Sequence, residues 1–330
     1  MSTRIKTFTR RSTVIFALLL VVALSNRGCT NTGNKANEQQ LTFSSPDDAI
    51  KMLVTALRSD DKAELEKIFG PGNEELLSSG DDIADHYNRQ RVLEAYDEKH
   101  GLLKNKDGSM TLTVGNNDWP MPIPLVQEGA WGKWYFDTDT GADEIVNRRI
   151  GRNELDVIQV CKAIGDAQRE YATQDPNNDG MPEYARKFIS DEGQKNGLYW
   201  PTAEGEPLSP LGQLAAEAQV QGYSAAPNPT GEPRPYRGYY YRMLTAQGED
   251  APGGARNYEV KGKLIGGYAV VAWPAEYGSS GVMTFISNYT GDVYQKDLGD
   301  DTDKLARAMI EYNPDSTWKK CESTDETKVQ

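Results

Sequence analysis

The chain has few of the residues that most enzymes use for acid–base or nucleophilic chemistry. Its 330 residues include two histidines, His86 and His100, and three cysteines. It contains no H-E-x-x-H zinc motif, no C-x-x-C pair, no G-x-S-x-G nucleophile elbow and no phosphate-binding glycine loop. The enzyme classes that these motifs define are therefore excluded. Catalysis by paired carboxylates stays open, because 49 acidic residues provide many candidate pairs.

Long hydrophobic runs are also scarce. The longest covers the 11 residues 14–24, whereas a membrane-spanning helix needs about 20 apolar residues. Basic residues precede this run, and small or polar residues follow it. A basic segment, a short apolar segment and a small residue at the cleavage point are typical of a secretory signal. We therefore expect residues 1–28 to be a signal peptide.

Cys29 follows the predicted signal directly, and Gly28-Cys29 is typical of the end of a bacterial lipoprotein signal, in which the cysteine is acylated. Asn26 and Arg27 depart from the usual pattern, which has Leu and a small residue at those places. The sequence favours lipidation at Cys29, with plain secretion or a retained anchor as the alternatives. Because Thr30 rather than Asp follows the cysteine, we expect an exported periplasmic protein anchored to the outer membrane.

The chain is acidic, with a formal net charge of -13. Removing residues 1–28 takes away five basic residues and no acidic one, which leaves 31 basic against 49 acidic residues and a net charge of -18. Such a surface repels nucleic acid and anionic lipid head groups. We therefore expect no nucleic-acid partner. Contact with a membrane would come through the N-terminal lipid, and the partner would be another envelope protein or polymer.

Composition along the chain predicts two domains after the signal. Residues 29–42 are mostly polar and are expected to form a flexible tether. An N-terminal α+β domain is expected over residues 43–140, and a domain with a long helix and an antiparallel β meander over residues 141–318. The last residues, 319–330, are expected to be a frayed tail. The predicted fold class is α+β.

Helix-start signals and apolar periodicity support this order of elements. Ser45 and Asp61 each precede a short amphipathic helix, and short runs of strand-forming residues follow these helices in the N-terminal domain. In the second domain an apolar stripe at helical spacing predicts one long helix from Thr140 to about Tyr171. Strand-like segments joined by turn residues follow this helix.

The segment after the long helix fits the calcium-loop pattern D-x-[DN]-x-[DN]-G, in which alternate oxygen ligands converge on a hard cation. The oxygen ligands would come from Asp175, Asn177, Asp179, Met181 (through its backbone carbonyl) and Glu183. The twelfth position is Arg186, so the bidentate glutamate of an EF-hand is missing and a full EF-hand is excluded. A weaker calcium loop and a plain polar turn both stay open. Calcium is the one cofactor that the sequence suggests.

Three arginines stand close together near the start of the long helix, at Arg148, Arg149 and Arg152. They could bind an anionic ligand. They could instead pair with acidic residues and hold the two halves of the protein together. We favour the second interpretation, because an acidic protein needs internal counter-ions.

The other two cysteines are Cys161 in the long helix and Cys321 near the C-terminus. In an oxidising compartment they could form a disulfide that ties the C-terminal segment to the helix. Alternatively, Cys161 is a small buried apolar residue, as free cysteines often are. Sequence spacing does not distinguish these alternatives.

Several long motifs resemble one known family. They are RRIGRNEL beginning at Arg148, AQREYA at Ala167, GLYWP at Gly197, SPLG at Ser209, GYY at Gly238, LTAQG at Leu244, APGG at Ala251 and AWPAEYG at Ala272. Together they resemble the bacterial family of unknown function numbered 2950, from about Phe43 to Trp318. The resemblance implies export by a Gram-negative bacterium and adds no mechanism.

Two looser likenesses concern the fold, and they give no function by themselves. Residues 43–137 resemble a cystatin-like or nuclear-transport-factor-like α+β unit, and residues 142–300 resemble the globular part of a pseudopilin. From all these features we expect an envelope protein with a non-enzymatic binding or structural role. The alternative is a hydrolase of cell-wall glycan or peptide that uses paired carboxylates.

Overall fold

Two five-stranded sheets and one long helix organise the described part of the chain. The computed structural model describes residues 39–129, 131–175, 180–224 and 234–322. The helices are α1 (Pro46–Ser59), α2 (Lys62–Phe69), α3 (Glu74–Leu77), α4 (Asp82–Glu98), α5 (Thr138–Gln174), α6 (Gly212–Val220) and α7 (Thr302–Ala308).

The strands are short, and most of them pair with a neighbour in sequence. In the N-terminal half they are β1 (His100–Lys104), β2 (Met110–Val114), β3 (Trp119–Pro120), β4 (Leu125–Gln127) and β5 (Trp134–Phe136). After α5 they are β6 (Lys187–Ile189), β7 (Gly197–Tyr199), β8 (Tyr239–Leu244), β9 (Ala246–Gln247), β10 (Arg256–Asn257), β11 (Glu259–Val260), β12 (Lys263–Leu264), β13 (Ala269–Pro274), β14 (Met283–Asn288), β15 (Val293–Asp297) and β16 (Lys319–Lys320).

The N-terminal sheet has the order β1-β2-β4-β5, with β3 paired to β2, and α1 and α2 contribute to its core. The Ser45 side chain accepts a hydrogen bond from the Asp48 N–H at 3.1 Å, and Pro46 occupies the first turn. This cap fixes where α1 begins. The apolar side of α1 then buries Ile50 and Leu53 in the core. Asp61 caps α2 in the same way, as the sequence predicted.

Helix α5 is 37 residues long and follows the N-terminal sheet directly. It begins two residues before the predicted Thr140, because Asp137 occupies the N-cap position and Thr140 already lies in the first turn. The Thr140 hydroxyl donates to the Asp137 carboxylate at 2.7 Å instead of capping the helix itself. The helix ends at Asp175, which has left-handed backbone angles.

The C-terminal sheet is an antiparallel meander with the order β16-β15-β14-β13-β8. Strand β13, which lies between β14 and β8, is buried along its whole length. Helix α5 covers one face of the sheet, where Val157 and Cys161 meet Phe285. Helix α7 covers the other face, where the Trp273 indole N–H donates to the Asp303 carboxylate at 2.9 Å. The long helix and the β meander confirm the predicted α+β class.

The structure also differs from the sequence expectations in several elements. Helices α3, α4 and α6 were not predicted, and the strand-forming residues 258–273 are divided among the short strands β11 and β12 and the strand β13. Lys319 and Lys320 form β16 at the sheet edge rather than part of a frayed tail, because β15 offers them a free edge. Residues 323–330 lie outside the described ranges. The two-domain boundary at residue 140 stays a prediction; the described residues after Asn34 form one compact unit.

Candidate functional site

A cluster of largely buried polar side chains joins the N-terminal helices, α5 and the loop between β13 and β14. We call this cluster the junction. Its members are Asp81, Asp85, Arg149, Asn153, Glu154, Tyr223 and Ser279. Burying polar groups is unfavourable unless they are hydrogen-bonded. The contacts below therefore decide what the junction can do.

Arg149 is the central cation of the junction and is only 7% exposed. Its guanidinium donates to the backbone carbonyls of Glu75 and Leu76, both at 2.8 Å, and to the Ser279 hydroxyl oxygen at 3.1 Å. The first two acceptors belong to α3, and Ser279 belongs to the loop after β13. Burial lowers the pKa of Arg149, while the charge of Asp85 opposes that shift. One side chain on α5 thus connects both halves of the protein.

Asp81 is the most deeply buried acid of the junction, at 1% exposure. Its carboxylate accepts from the Tyr223 hydroxyl at 2.7 Å, from the Gly238 N–H at 2.8 Å and from the Ala84 N–H at 3.0 Å. The last bond caps α4. Burial raises the pKa of the Asp81 carboxyl, and these three hydrogen bonds oppose the rise. Asp81 therefore links the start of α4 to the segment before β8.

Gly238 makes this approach to Asp81 sterically possible. Its φ is +78°, and a Cβ atom there would lie 2.5 Å from the Asn153 amide nitrogen. The Asn153 amide itself donates to the Ser280 carbonyl at 2.9 Å. A side chain at position 238 would thus be strained and would collide with α5.

The remaining junction acids also bind backbone groups. Asp85 accepts from the Ser79 N–H at 2.8 Å and from the Ser79 hydroxyl at 2.7 Å. One Glu154 carboxylate oxygen accepts from the N–H groups of Val282 and Met283, at 3.1 and 3.0 Å. Each of these carboxylates holds a chain segment in place. The sequence did not single out Asp81, Asp85, Asn153 or Glu154.

The three predicted arginines have different surroundings. Arg149 lies in the junction, as described above. Arg148 is exposed; it pairs with Glu144 at 2.6 Å and its guanidinium lies 5.1 Å above the centre of the Trp119 ring. Arg152 is exposed and interacts electrostatically with Arg91 and Asp156. The three arginines therefore do not form a single site. An anion site at Arg148 or Arg152 stays a prediction.

The predicted calcium loop is described in part, because Asn177 and Asp179 lie outside the described ranges. Asp175 accepts from the Gly180 N–H at 2.8 Å, which closes the turn. Glu183 lies 3.8 Å from the Lys263 ammonium group, and the Met181 side chain is exposed. Within the described ranges no group of three or more acidic, histidine or cysteine side chains could hold a metal ion. Calcium binding stays a prediction.

Cys161 and Cys321 contribute to the same cluster between α5 and the C-terminal sheet, and both are free thiols in the structure. Burial raises the pKa of the Cys161 thiol to about 12 and that of Cys321 to about 11. The thiolate is the reactive form of cysteine, so a raised pKa makes both thiols less nucleophilic. Cys321 donates its N–H to the Val293 carbonyl at 2.8 Å beside the sheet edge. The disulfide between them stays a prediction. Cys29 lies outside the described ranges.

Two of the clefts on the surface of the described residues are large enough to hold a small molecule. One, of about 270 Å³, lies between α1, the end of α4 and strands β1 and β2. The other, of about 300 Å³, lies between α5 and the turn after β14, and Cys161 and Ser287 are among its lining residues.

No helix within the described ranges is long and apolar enough to cross a membrane.

Comparison with known proteins gives one match. A family model described as "Protein of unknown function (DUF2950)" matches residues 40–321. No curated protein matches the chain, and no solved structure does. The family resemblance seen in the sequence motifs is therefore confirmed. The likenesses to cystatin, nuclear transport factor and pseudopilin folds stay predictions.

Replacing Arg149 tests the junction directly. Arg149→Ala should lower the free energy of unfolding in urea by about 3 kcal/mol, because two backbone carbonyls and the Asp85 charge lose a buried partner. Arg148→Ala is the matched control, one residue away but exposed, and should cost less than about 1 kcal/mol. Equal losses for the two variants would show that the junction is not a special source of stability.

The pH dependence of stability tests the burial of Asp81. Its folded pKa is raised above the ordinary 3.8, so its contribution to stability is full below pH 3.8 and falls as the pH rises through the folded pKa. Asp81→Asn cannot ionise and should therefore cost less unfolding free energy at neutral pH than near pH 3.8. Asp82→Asn, at the exposed neighbour, is the control. A cost for Asp81→Asn that grows with pH would contradict the assignment.

Proposed function

Because the chain belongs to the DUF2950 family, whose description assigns no function, we propose its role from the junction and the N-terminal sequence. We infer an exported lipoprotein of the outer membrane, facing the periplasm, with a non-enzymatic binding or structural role. One observation supports the non-enzymatic role. The charged side chains of the junction form hydrogen bonds with other parts of the chain, and most of their partners are backbone groups.

The carboxylates of the junction matter most for this argument. Asp81 and Asp85 are close enough that the Asp85 charge helps to raise the pKa of Asp81. A glycan hydrolase uses two neighbouring carboxyl groups, one of which has a raised pKa and acts as the general acid. Here, however, the two residues are 1% and 6% exposed, and both oxygens of each already accept hydrogen bonds. A polymer could not reach them, so their arrangement favours a structural role.

The envelope location is proposed from residues 1–29. The basic segment, the short apolar run and Gly28-Cys29 support export with acylation of Cys29. The strongly negative charge of the remaining chain supports an envelope protein or polymer as the partner rather than nucleic acid. In this proposal the polar tether separates the lipid from the folded part. The folded part begins by Gln40, earlier than the predicted Phe43, because the Gln40 side-chain amide donates to the carbonyls of Ile68 and Phe136.

Calcium is a second, independent part of the proposal. Asp175 already closes the turn through Gly180, and the segment after the loop continues to the β11–β12 hairpin, where the Tyr184 N–H donates to the Leu264 carbonyl at 2.8 Å. A cation held by Asp175, Asn177, Asp179, the Met181 carbonyl and Glu183 would fix the exit of α5 relative to this hairpin. A loop without a bidentate closing ligand should bind calcium weakly, at about 10⁻⁴ to 10⁻³ M.

Fractionation of cells that make the full chain tests the envelope proposal. Wild-type protein should sediment with the outer membrane, and mass spectrometry should find an acylated Cys29 at the mature N-terminus. Cys29→Ser should move the protein to the soluble periplasmic fraction, because the proposed lipid is lost. Cys321→Ser is the matched control and should stay in the membrane. An unmodified N-terminus beyond Cys29 would contradict the anchor.

Incubation with purified peptidoglycan tests the non-enzymatic role. The mature protein should release no soluble fragments from intact sacculi under conditions in which a known muramidase digests them. Release of glycan or peptide fragments by the wild-type protein would contradict the proposal and would favour the hydrolase alternative.

Thermal unfolding with calcium or with a chelator tests the loop. Binding to the folded form at ten times the dissociation constant adds about 1.4 kcal/mol, so millimolar calcium should raise the melting temperature by a few degrees. Asp179→Ala should abolish this shift, whereas Asp191→Ala, at an exposed acid paired with Lys187, should keep it. Identical melting curves with calcium and chelator would leave the segment an ordinary polar turn.

A further inference from the structure

The cleft of about 270 Å³ beside α1 combines an apolar floor with a rim that carries Lys51 and Arg58. We call it the α1 cleft. It lies in the N-terminal half, on the side of α1 that faces strands β1 and β2. None of its lining residues takes part in the junction. Its chemistry is therefore separate from the contacts that hold the two halves together.

The floor of the α1 cleft is made of core side chains. Ile50 and Leu112 are buried members of the N-terminal core, and Val54 and Leu102 are half-buried and pack against the same core. All four line the cleft. An apolar group placed there would remove this surface from water, which is favourable in proportion to the area covered.

Cations stand at the rim. Lys51 and Arg58 lie seven residues apart on α1, which places them on the same side of the helix about two turns apart. Arg58 is paired with Asp97, whereas Lys51 makes no ion pair within the described ranges. Asp47 is the acid that lines the cleft, near the start of α1. Because Asp97 compensates the charge of Arg58, Lys51 is the cation of the rim that is left for an anion.

His100 adds a positioned ring to this rim. Its Nδ1 lies 2.9 Å from the Tyr96 carbonyl oxygen, and its ring stacks on the Tyr96 ring with centres 3.8 Å apart and planes 8° apart. A carbonyl can only accept, so Nδ1 carries the proton. Nε2 is then the unprotonated ring nitrogen. The stacking holds the ring in one orientation beside the cleft.

From these features we infer that the α1 cleft binds a small amphipathic anion, a carboxylate that carries an apolar chain. The chain would lie on Ile50, Val54 and Leu112, and the carboxylate would lie at Lys51. The volume is just below the range of about 300–1,000 Å³ that is usual for ligand sites, so the ligand is a short chain rather than a folded partner. This inference names a ligand class for the proposed binding role, but it does not depend on the lipid anchor or on calcium.

Titration calorimetry of the mature protein with sodium decanoate tests the inference. Wild-type protein should bind one decanoate saturably. Lys51→Glu reverses the charge at the rim and should weaken binding at least tenfold, and Val54→Trp should abolish it by filling the floor. Lys67→Glu makes the same charge change on α2, outside the cleft, and should bind as the wild type does. Lys51 and Lys67 are both exposed, so both variants should fold.

Binding of decanol tests the apolar floor separately from the rim, because decanol has an apolar chain of the same length as decanoate but no charge. It should bind wild-type protein and Lys51→Glu with affinities within about threefold, since both keep the apolar floor. Three outcomes would overturn the inference: no saturable binding of decanoate, equal loss for Lys51→Glu and Lys67→Glu, or unchanged binding by Val54→Trp. Failure of the anchor prediction would leave these results unaffected, so the two proposals fail separately.

Discussion

The structure depends on one buried cation. Taking the Arg149 guanidinium out of water costs several kcal/mol unless its donors are satisfied. Here the acceptors are two carbonyls of α3 and the hydroxyl of Ser279, which are about two hundred residues apart in the chain. The cost of burial is offset only when all three segments are in place. Through Arg149, α3 and the β13–β14 loop therefore stabilise each other's position.

The other junction contacts also connect segments that are far apart in the chain. Asp81 joins the α4 cap to Tyr223 and Gly238, and Glu154 joins α5 to the start of β14. Each of these two acids connects its own segment to a distant one, and each would lose hydrogen bonds if those segments separated. The physical consequence is that the N-terminal helices, α5 and the β13–β14 loop hold one another in place.

The sequence was informative where local signals decide the structure. Ser45 and Pro46 marked the start of α1 because capping is a matter of a few neighbouring residues, and the apolar stripe through Val157 and Cys161 marked α5. Helix α4 gave no such stripe: Leu93 is its single buried apolar residue among the 17 of the helix. A helix with so little buried apolar surface is held by its cap at Asp81 and by tertiary contacts, and periodicity does not reveal it.

The candidate site was less predictable for a related reason. The sequence pointed to Arg149 together with Arg148 and Arg152, but nothing local separates the buried arginine from its exposed neighbours. Its acceptors are more than seventy residues earlier and one hundred and thirty later in the chain. Gly238 carried a usable signal, since a glycine inside a run of strand-forming tyrosines suggests a close backbone approach. The partner of that approach, Asp81, could not be found without the fold.

The central claim is that the junction makes the two sheets one cooperative unit, and native-state hydrogen exchange tests it most directly. The most protected amides of β2 and those of β14 should exchange through the same global opening, with opening free energies equal within about 1 kcal/mol and the same dependence on denaturant. If the β2 amides instead exchange through a separate opening several kcal/mol lower, the N-terminal half unfolds independently. That result would contradict the claim, because the junction would then not couple the two sheets.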